Sequence, residues 1–371
     1  MMPPNKDEEH MTPVDGSRDT ISFIQMLRGF APIPVVLAHV PGLWLQENRA
    51  NWTPFDLYRQ MVLHPLQLDN TGGRFGVILF FLISGFIISM VAEKETRSEF
   101  FIKRVFRIFP PLFAATLIGF VTVRLSQAYG WGPIHSNNAV ETIDFIKSAF
   151  MLSWVVETPR AISVAWSLMP ELIFYGFVMI VIGLLKKSPV RATLILMALY
   201  GSLTLPMAAF GYLSYLGYFT VYLPLFLIGR VFYLHYARQV SGEGLIALFL
   251  LNLILFLSIF NSRFPGELFR SEYAGFFNIA LACALFHGLM TWRPAHCPRV
   301  LTFFSKISYS FYLIHLSVGI CVLNALSTTD VAFGLKVALA LALSIAISFL
   351  NFLLVEQPSQ KLARHLVRLT R

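Results

Sequence analysis

The sequence predicts an all-α bundle, a polytopic membrane protein of about ten transmembrane helices with both termini cytoplasmic. Three observations carry that prediction. Hydrophobic residues make up 56% of the 371-residue chain and charged residues only 13%, against roughly a quarter charged in soluble domains. The apolar residues come in long runs, such as GLIALFLLNLILFLSIF (244–260) and LKVALALALSIAISFLNFLLV (335–355), and about 20 such residues cross about 30 Å of hydrocarbon. Basic residues gather on alternate connections between the runs, as the positive-inside rule requires.

Ten spans follow from the runs, at about 25–45, 76–93, 110–127, 167–185, 191–209, 213–233, 244–261, 272–290, 302–326 and 331–355. With the N-terminus inside, nineteen of the 29 basic residues fall on inner segments and seven on outer ones, namely Arg49, Arg59, Arg74, Lys147, Arg160, Arg263 and Arg270. The net charge of +9 is therefore topology rather than a nucleic-acid footprint. Residues 1–20 lack apolar periodicity and are expected to form a disordered cytoplasmic tail. They do not read as a cleavable signal, so the first span serves as an uncleaved anchor. Residues 21–358 form one integral domain without internal repeats, and 359–371 a basic cytoplasmic tail.

Two outer loops are long, about 46–75 and 128–166, and carry Trp52, Trp131, Trp154 and Trp166, with Trp44 at the edge of the first. Aromatic residues favour the lipid boundary, and these loops are where an external substrate is most naturally held. Residues 141–157 are charged and too short to span, and read as an amphipathic helix on the membrane surface. Cys283, Cys297 and Cys321 are too few and scattered for a disulfide framework or a zinc site. No metal site and no permanently bound cofactor is expected.

Ionisable groups inside hydrocarbon cost several kcal/mol unless they face protein or water, so each is a functional candidate. Arg28 and His39 lie eleven residues apart in MLRGFAPIPVVLAH, which on an ideal helix is about 16 Å along one face. Pro32 and Pro34 interrupt that stretch and kink or restart the helix. A histidine past mid-membrane is a candidate general base. Arg104 and Arg107 in FFIKRVFRIFPP are three apart on one face, ahead of a break or a helix start at Pro110 and Pro111. Guanidinium forks suit phosphate oxygens, although each of these arginines also reads as ordinary inner-side charge. Glu171 in AWSLMPELIFY falls at about the depth of His39, where a carboxylate beside the imidazole orients it, or else faces water at the interface. In KISYSFYLIH, His315 is near the middle of the ninth span, with Ser308, Ser310 and Tyr312 able to bond across helices. Glu93, Arg124, His235, Lys336 and Glu356 lie near span ends, where snorkelling suffices.

Taken in order, these segments resemble the integral-membrane acyltransferase family 3, typified by bacterial O-acetyltransferases of surface polysaccharides. LRGFAPIPVVLAH is similar to that family's arginine, ten residues, histidine pattern, and RFGVILFFLISGFIIS to its second-span signature. RVFRIFP, WSLMPELIFY, SYSFYLIH and VEQP are similar to the remaining signatures, in the family's order. Pro170, before Glu171, departs from the usual pattern.

The resemblance implies transfer of an acyl group, most simply acetyl, from cytoplasmic acyl-CoA as co-substrate to a hydroxyl of a carbohydrate or glycolipid acceptor. It implies a multi-pass protein of the bacterial cytoplasmic (inner) membrane, surrounded by lipid. On this reading His39 and Glu171 are catalytic, Arg28, Arg104 and Arg107 hold acyl-CoA, and Ser84, Tyr312 and His315 line a channel or position substrate. A competing reading is a transporter or flippase for lipid-linked sugars, against which the lack of an internal repeat counts. Neither the acceptor nor the oligomeric state is encoded in any recognisable motif.

Overall fold

The computed structural model describes residues 21–369 except 70, 135–139, 157, 211–213 and 266–274. The expected tail at 1–20 lies outside the described residues. Among the described residues nine helices are long and apolar enough to cross a membrane. They are Ser22–Glu47, Gly73–Ala92, Arg97–Tyr129, Ser163–Leu185, Pro189–Met207, Gly217–Tyr236, Gly242–Arg263, Arg299–Ala325 and Phe333–Leu369. A shorter apolar helix, Phe276–Trp292, falls where the eighth span is expected. The protein is an all-α polytopic bundle, and the ten expected spans each have a helix.

The second span, Gly73–Ala92, packs against the sixth, Gly217–Tyr236. That contact is backbone to backbone. Gly85 lies directly on the Phe226 carbonyl and Gly229 on the Leu82 carbonyl, so a side chain at either position would drive the helices apart. The first span packs on the ninth, and the ninth also on the tenth and third. Outward faces carry residues such as Leu250, Ile254 and Leu354, exposed where lipid would cover them.

Two helices differ from the sequence expectation. The third span is one helix of 33 residues that runs straight through Pro110 and Pro111. Pro110 cannot donate to the Phe106 carbonyl four residues back. The Ser359 hydroxyl does so instead, at 2.9 Å, which removes much of the reason to break. A Thr96–Glu99 capping box starts this helix, and Gly130, with φ 65°, ends it. The short outer helix covers only Thr142–Ala149. Met151 adopts a left-handed φ of 62° and turns the chain into a single 3-10 turn, Leu152–Trp154. The helix is held to the third span by Phe145, whose ring lies 5.5 Å from Phe113 and 5.6 Å from Phe120.

At the other end, the chain stays helical past the last span. A π-turn at Phe352–Glu356 leads into a helix over Gln357–Leu369 that packs along the third span.

Candidate functional site

The first span is built from pieces. A helix over Ser22–Phe30 turns at Ala31 into Pro32–Leu37, then into a π-turn at Ala38–Gly42 and a last helical segment at Leu43–Glu47. Pro41 lacks the N–H that would bond the Leu37 carbonyl, and the Leu43 N–H instead reaches back five residues to Ala38. His39 sits in this widened turn. Similar turns hold Arg59 (Arg59–Leu63, with Pro65 two residues on) and Glu356 (Phe352–Glu356, with Pro358 two residues on).

His39 meets His315 of the ninth span. His39 Nδ1 lies 2.9 Å from His315 Nε2, with the rings within 8° of coplanar. His315 is fully buried, and its Nδ1 is 3.0 Å from the Phe311 carbonyl. A carbonyl only accepts, so in the neutral pair His315 Nδ1 carries the proton and His315 Nε2 the lone pair. His39 Nδ1–H then donates to it, which leaves Nε2 as the basic nitrogen of His39. The sequence offers Glu171 either for this orienting role or as a water-facing interfacial residue; the partner of His39 Nδ1 here is His315.

Glu171 belongs to a cavity on the inner side of the histidines. This cavity is narrow, about 80 Å³, and is lined by Arg28, Arg107, Glu171, Tyr175, Tyr309 and Tyr312 among others. It follows the second span from Val77 to Ile88, about 16 Å of helix. Glu171 Oε1 accepts from Ser84 Oγ at 2.8 Å and from Tyr175 OH at 2.5 Å. Arg28 Nη2 donates to Ser308 Oγ at 3.4 Å. Pro170 occupies the first turn of the helix Leu168–Leu185, where a missing donor is harmless, and Glu171 follows it into the cavity.

Glu356, read from sequence as a snorkelling residue, is buried. Its Oε2 accepts from Ser310 Oγ at 2.6 Å, and it lies within electrostatic range of Arg107 and Arg28. Two guanidiniums and two carboxylates therefore balance around this cavity. Tyr175, four residues after Glu171 and so on the same helix face, is the group that sequence spacing could have found.

Arg104 and Arg107 part company. Arg107 lines the cavity, whereas Arg104 lies 3.7 Å from Glu95 and rests against the Phe100 and Tyr175 rings, 5.2 and 6.0 Å from their centres. Glu95 also receives Lys103 at 2.9 Å.

His39 itself opens to a second, wider cavity of about 640 Å³ on the side that the charge bias assigns to the outside. Its walls include Arg49, Arg59, Asp69, Arg74 and Trp166. Arg74, which the sequence marks only as one of the outer basic residues, donates to Tyr222 OH at 2.6 Å and to Tyr218 OH at 3.3 Å. Val77 lines both cavities, while the neighbours Trp166 and Ser167 line one each. Tyr312 closes the partition: its hydroxyl donates to the Val164 carbonyl at 3.0 Å and accepts from Ser167 Oγ at 2.8 Å, and Phe80 meets its ring edge-on at 5.6 Å.

Fold and site together define a multi-pass membrane protein in which a half-buried histidine, backed by a fully buried one, faces the outer of two neighbouring cavities. Residues 21–352 match the family model described as an acyltransferase domain. The chain belongs to that family, the acyltransferase family 3 that its motifs resemble, and is a membrane acyltransferase. Searches of curated proteins and of solved structures return no match.

Proposed function

We propose that the protein is an acyl-CoA-dependent O-acyltransferase of a bacterial cytoplasmic membrane. It takes an acyl group, acetyl in the simplest case, from cytoplasmic acyl-CoA and delivers it to a hydroxyl of a carbohydrate or glycolipid on the opposite side. The observation that carries this reading is the position of His39. It faces the outer cavity, is hydrogen-bonded behind to His315, and stands across Val77 and Tyr312 from the arginine-bearing inner cavity.

In this mechanism the pantetheine arm of the donor enters the inner cavity, with Arg28 and Arg107 at the CoA end, and the acceptor enters the outer one. His39 Nε2 takes the proton of the acceptor hydroxyl as its oxygen attacks the thioester carbonyl. The tetrahedral intermediate collapses with breakage of the C–S bond. The imidazolium returns its proton to the CoA thiolate, leaving an ester and free CoA. Two cavities that can be filled together favour this direct attack over an acyl-histidine carried in two steps.

The test is turnover of radiolabelled acetyl-CoA by the purified protein in detergent, with membrane glycans as acceptor. His39→Ala should lower transfer by about 10²–10⁴-fold, the usual contribution of a general base, while inserting normally. Undiminished transfer by that variant defeats the assignment. A wild-type protein that never turns over acetyl-CoA defeats the enzyme reading and favours export of a lipid-linked sugar.

A further inference from the structure

The positive-inside rule disfavours arginine on outer loops, yet three of the seven basic residues on that side, Arg49, Arg59 and Arg74, line the outer cavity that His39 faces. Its two acidic residues, Asp56 and Asp69, leave the guanidiniums in excess. Asp69 is taken up within its own loop, where its carboxylate accepts from the backbone N–H groups of Thr71, Gly72 and Arg74 and from the Thr71 hydroxyl. Asp56 lies on the helix that leads to Arg59, but among the described residues neither Arg49 nor Arg59 forms an ion pair. Arg59 Nε is buried with no hydrogen-bond partner among the described residues. A desolvated guanidinium donor left unmatched is unfavourable, and a ligand in the cavity would supply the acceptor.

The backbone at both arginines is unusual. Arg49 has φ +50° at the end of the first span. Its N–H bonds the Gln46 carbonyl at 3.3 Å, and the Ala50 N–H bonds Leu45 at 2.9 Å. This is the helix-ending motif in which the left-handed position is ordinarily glycine. Arginine there is locally unfavourable, and strain of this kind concentrates where a side chain is held for a purpose. Arg59 opens the π-turn Arg59–Leu63, closed by the His64 N–H bonding the Arg59 carbonyl at 2.9 Å.

We propose, resting on the acyltransferase reading, that the acceptor carries an anionic group which Arg49 and Arg59 hold in the outer cavity while a nearby hydroxyl of the same molecule reaches His39. A carboxylate of an acidic sugar and a phosphate of a phosphorylated or lipid-linked glycan share the required chemistry, since guanidinium forks bind both.

The experiment uses the full-length protein in detergent with radiolabelled acetyl-CoA and total membrane glycans from a strain lacking the gene. Labelled products are resolved by anion exchange at pH 7 and again at about pH 2, where carboxylates are protonated and phosphates stay charged. The label should bind the column at pH 7. Release at about pH 2 assigns a carboxylate, and retention assigns a phosphate. Labelled product that passes through as neutral material overturns the proposal while leaving the acyltransferase reading intact. No labelled product in any fraction defeats the acyltransferase reading itself.

Arg49→Gly supplies the second arm, because glycine suits that backbone better than arginine and its melting temperature should not fall. The variant should need about tenfold more acceptor for half-maximal transfer, as expected for loss of a charge-assisted contact. Together with Arg59→Gln it should also lose most of the salt dependence that screening imposes on the wild-type acceptor KM. An acceptor KM and salt dependence equal to wild type in the double variant would likewise overturn it.

Discussion

His315→Ala removes the acceptor of the His39 Nδ1–H bond and the side-chain donor to the Phe311 carbonyl, which keeps only its helical backbone partner. One neutral hydrogen bond contributes about 0.5–1.5 kcal/mol, and felt fully in the transition state that alone is about two- to twelvefold in rate. The larger effect is that the His39 ring loses the bond that selects its tautomer, so that Nε2 presents its lone pair to the acceptor in only a fraction of molecules. Partners that orient a functional histidine typically matter about 10–100-fold. The expected fall in kcat is therefore about 10–100-fold, less than for His39→Ala, with the donor KM little changed. Because the His315 ring is fully buried, the alanine variant should also melt earlier. His315→Gln separates the two effects: its amide oxygen can accept from His39 and its NH₂ can donate to Phe311, so it should recover most of the lost turnover. The assay is steady-state transfer from labelled acetyl-CoA in detergent, with kcat and donor KM resolved and a thermal melt on each variant. Wild-type kcat in folded His315→Ala refutes the tautomer argument, and with it the choice of Nε2 as the base.

Arg107→Ala should raise the donor KM about tenfold or more, the scale of a charge-assisted hydrogen bond. Arg104→Ala should instead lower the melting temperature by releasing Glu95 and the Phe100 and Tyr175 rings; equal donor KM effects for the two would erase the distinction. Tyr312→Phe leaves the buried Val164 carbonyl and Ser167 hydroxyl without their shared partner, and should raise acetyl-CoA hydrolysis relative to transfer. A hydrolysis-to-transfer ratio equal to wild type removes Tyr312 from the partition. Pro41→Ala restores an N–H able to bond the Leu37 carbonyl, so the π-turn should relax to α-helix and rotate His39 away from His315. Transfer should fall although the protein melts no earlier, and unchanged transfer would show that the turn does not aim the ring.

Length and polarity make the spans legible: a run of some 20 apolar residues has few other uses. The same contrast marks Arg28, His39, Glu171 and His315 as unusual. What sequence cannot give is rotation about the helix axis, and the partners hang on that. Arg104 and Arg107 differ by about 60° around their helix, enough for one to face the inner cavity and the other Glu95. His39 and His315 are 276 residues apart, and their meeting depends on the π-turn that holds His39. Pro110 looks like a helix breaker until Ser359, 253 residues from Phe106, supplies the replacement donor. In each case a local rule was decided by a distant side chain.

The two cavities differ in ways that bear on the chemistry. The inner one is about 80 Å³, room for only a few water molecules, and its guanidiniums are matched by Glu171 and Glu356. It can stay closed and electrically satisfied when empty. A donor arm has to widen it, and the Tyr312–Ser167–Val164 link is the contact that widening toward His39 must strain. The outer cavity is eight times larger by the same measure and carries three guanidiniums to two carboxylates, so it is attractive to anions before any acceptor arrives. An acyl thioester exposed there without an acceptor would meet water. Under the proposed mechanism, a tight inner side and a charged, open outer side are what let a hydroxyl compete with water: the acceptor is held at His39 by its charge before the thioester comes within reach.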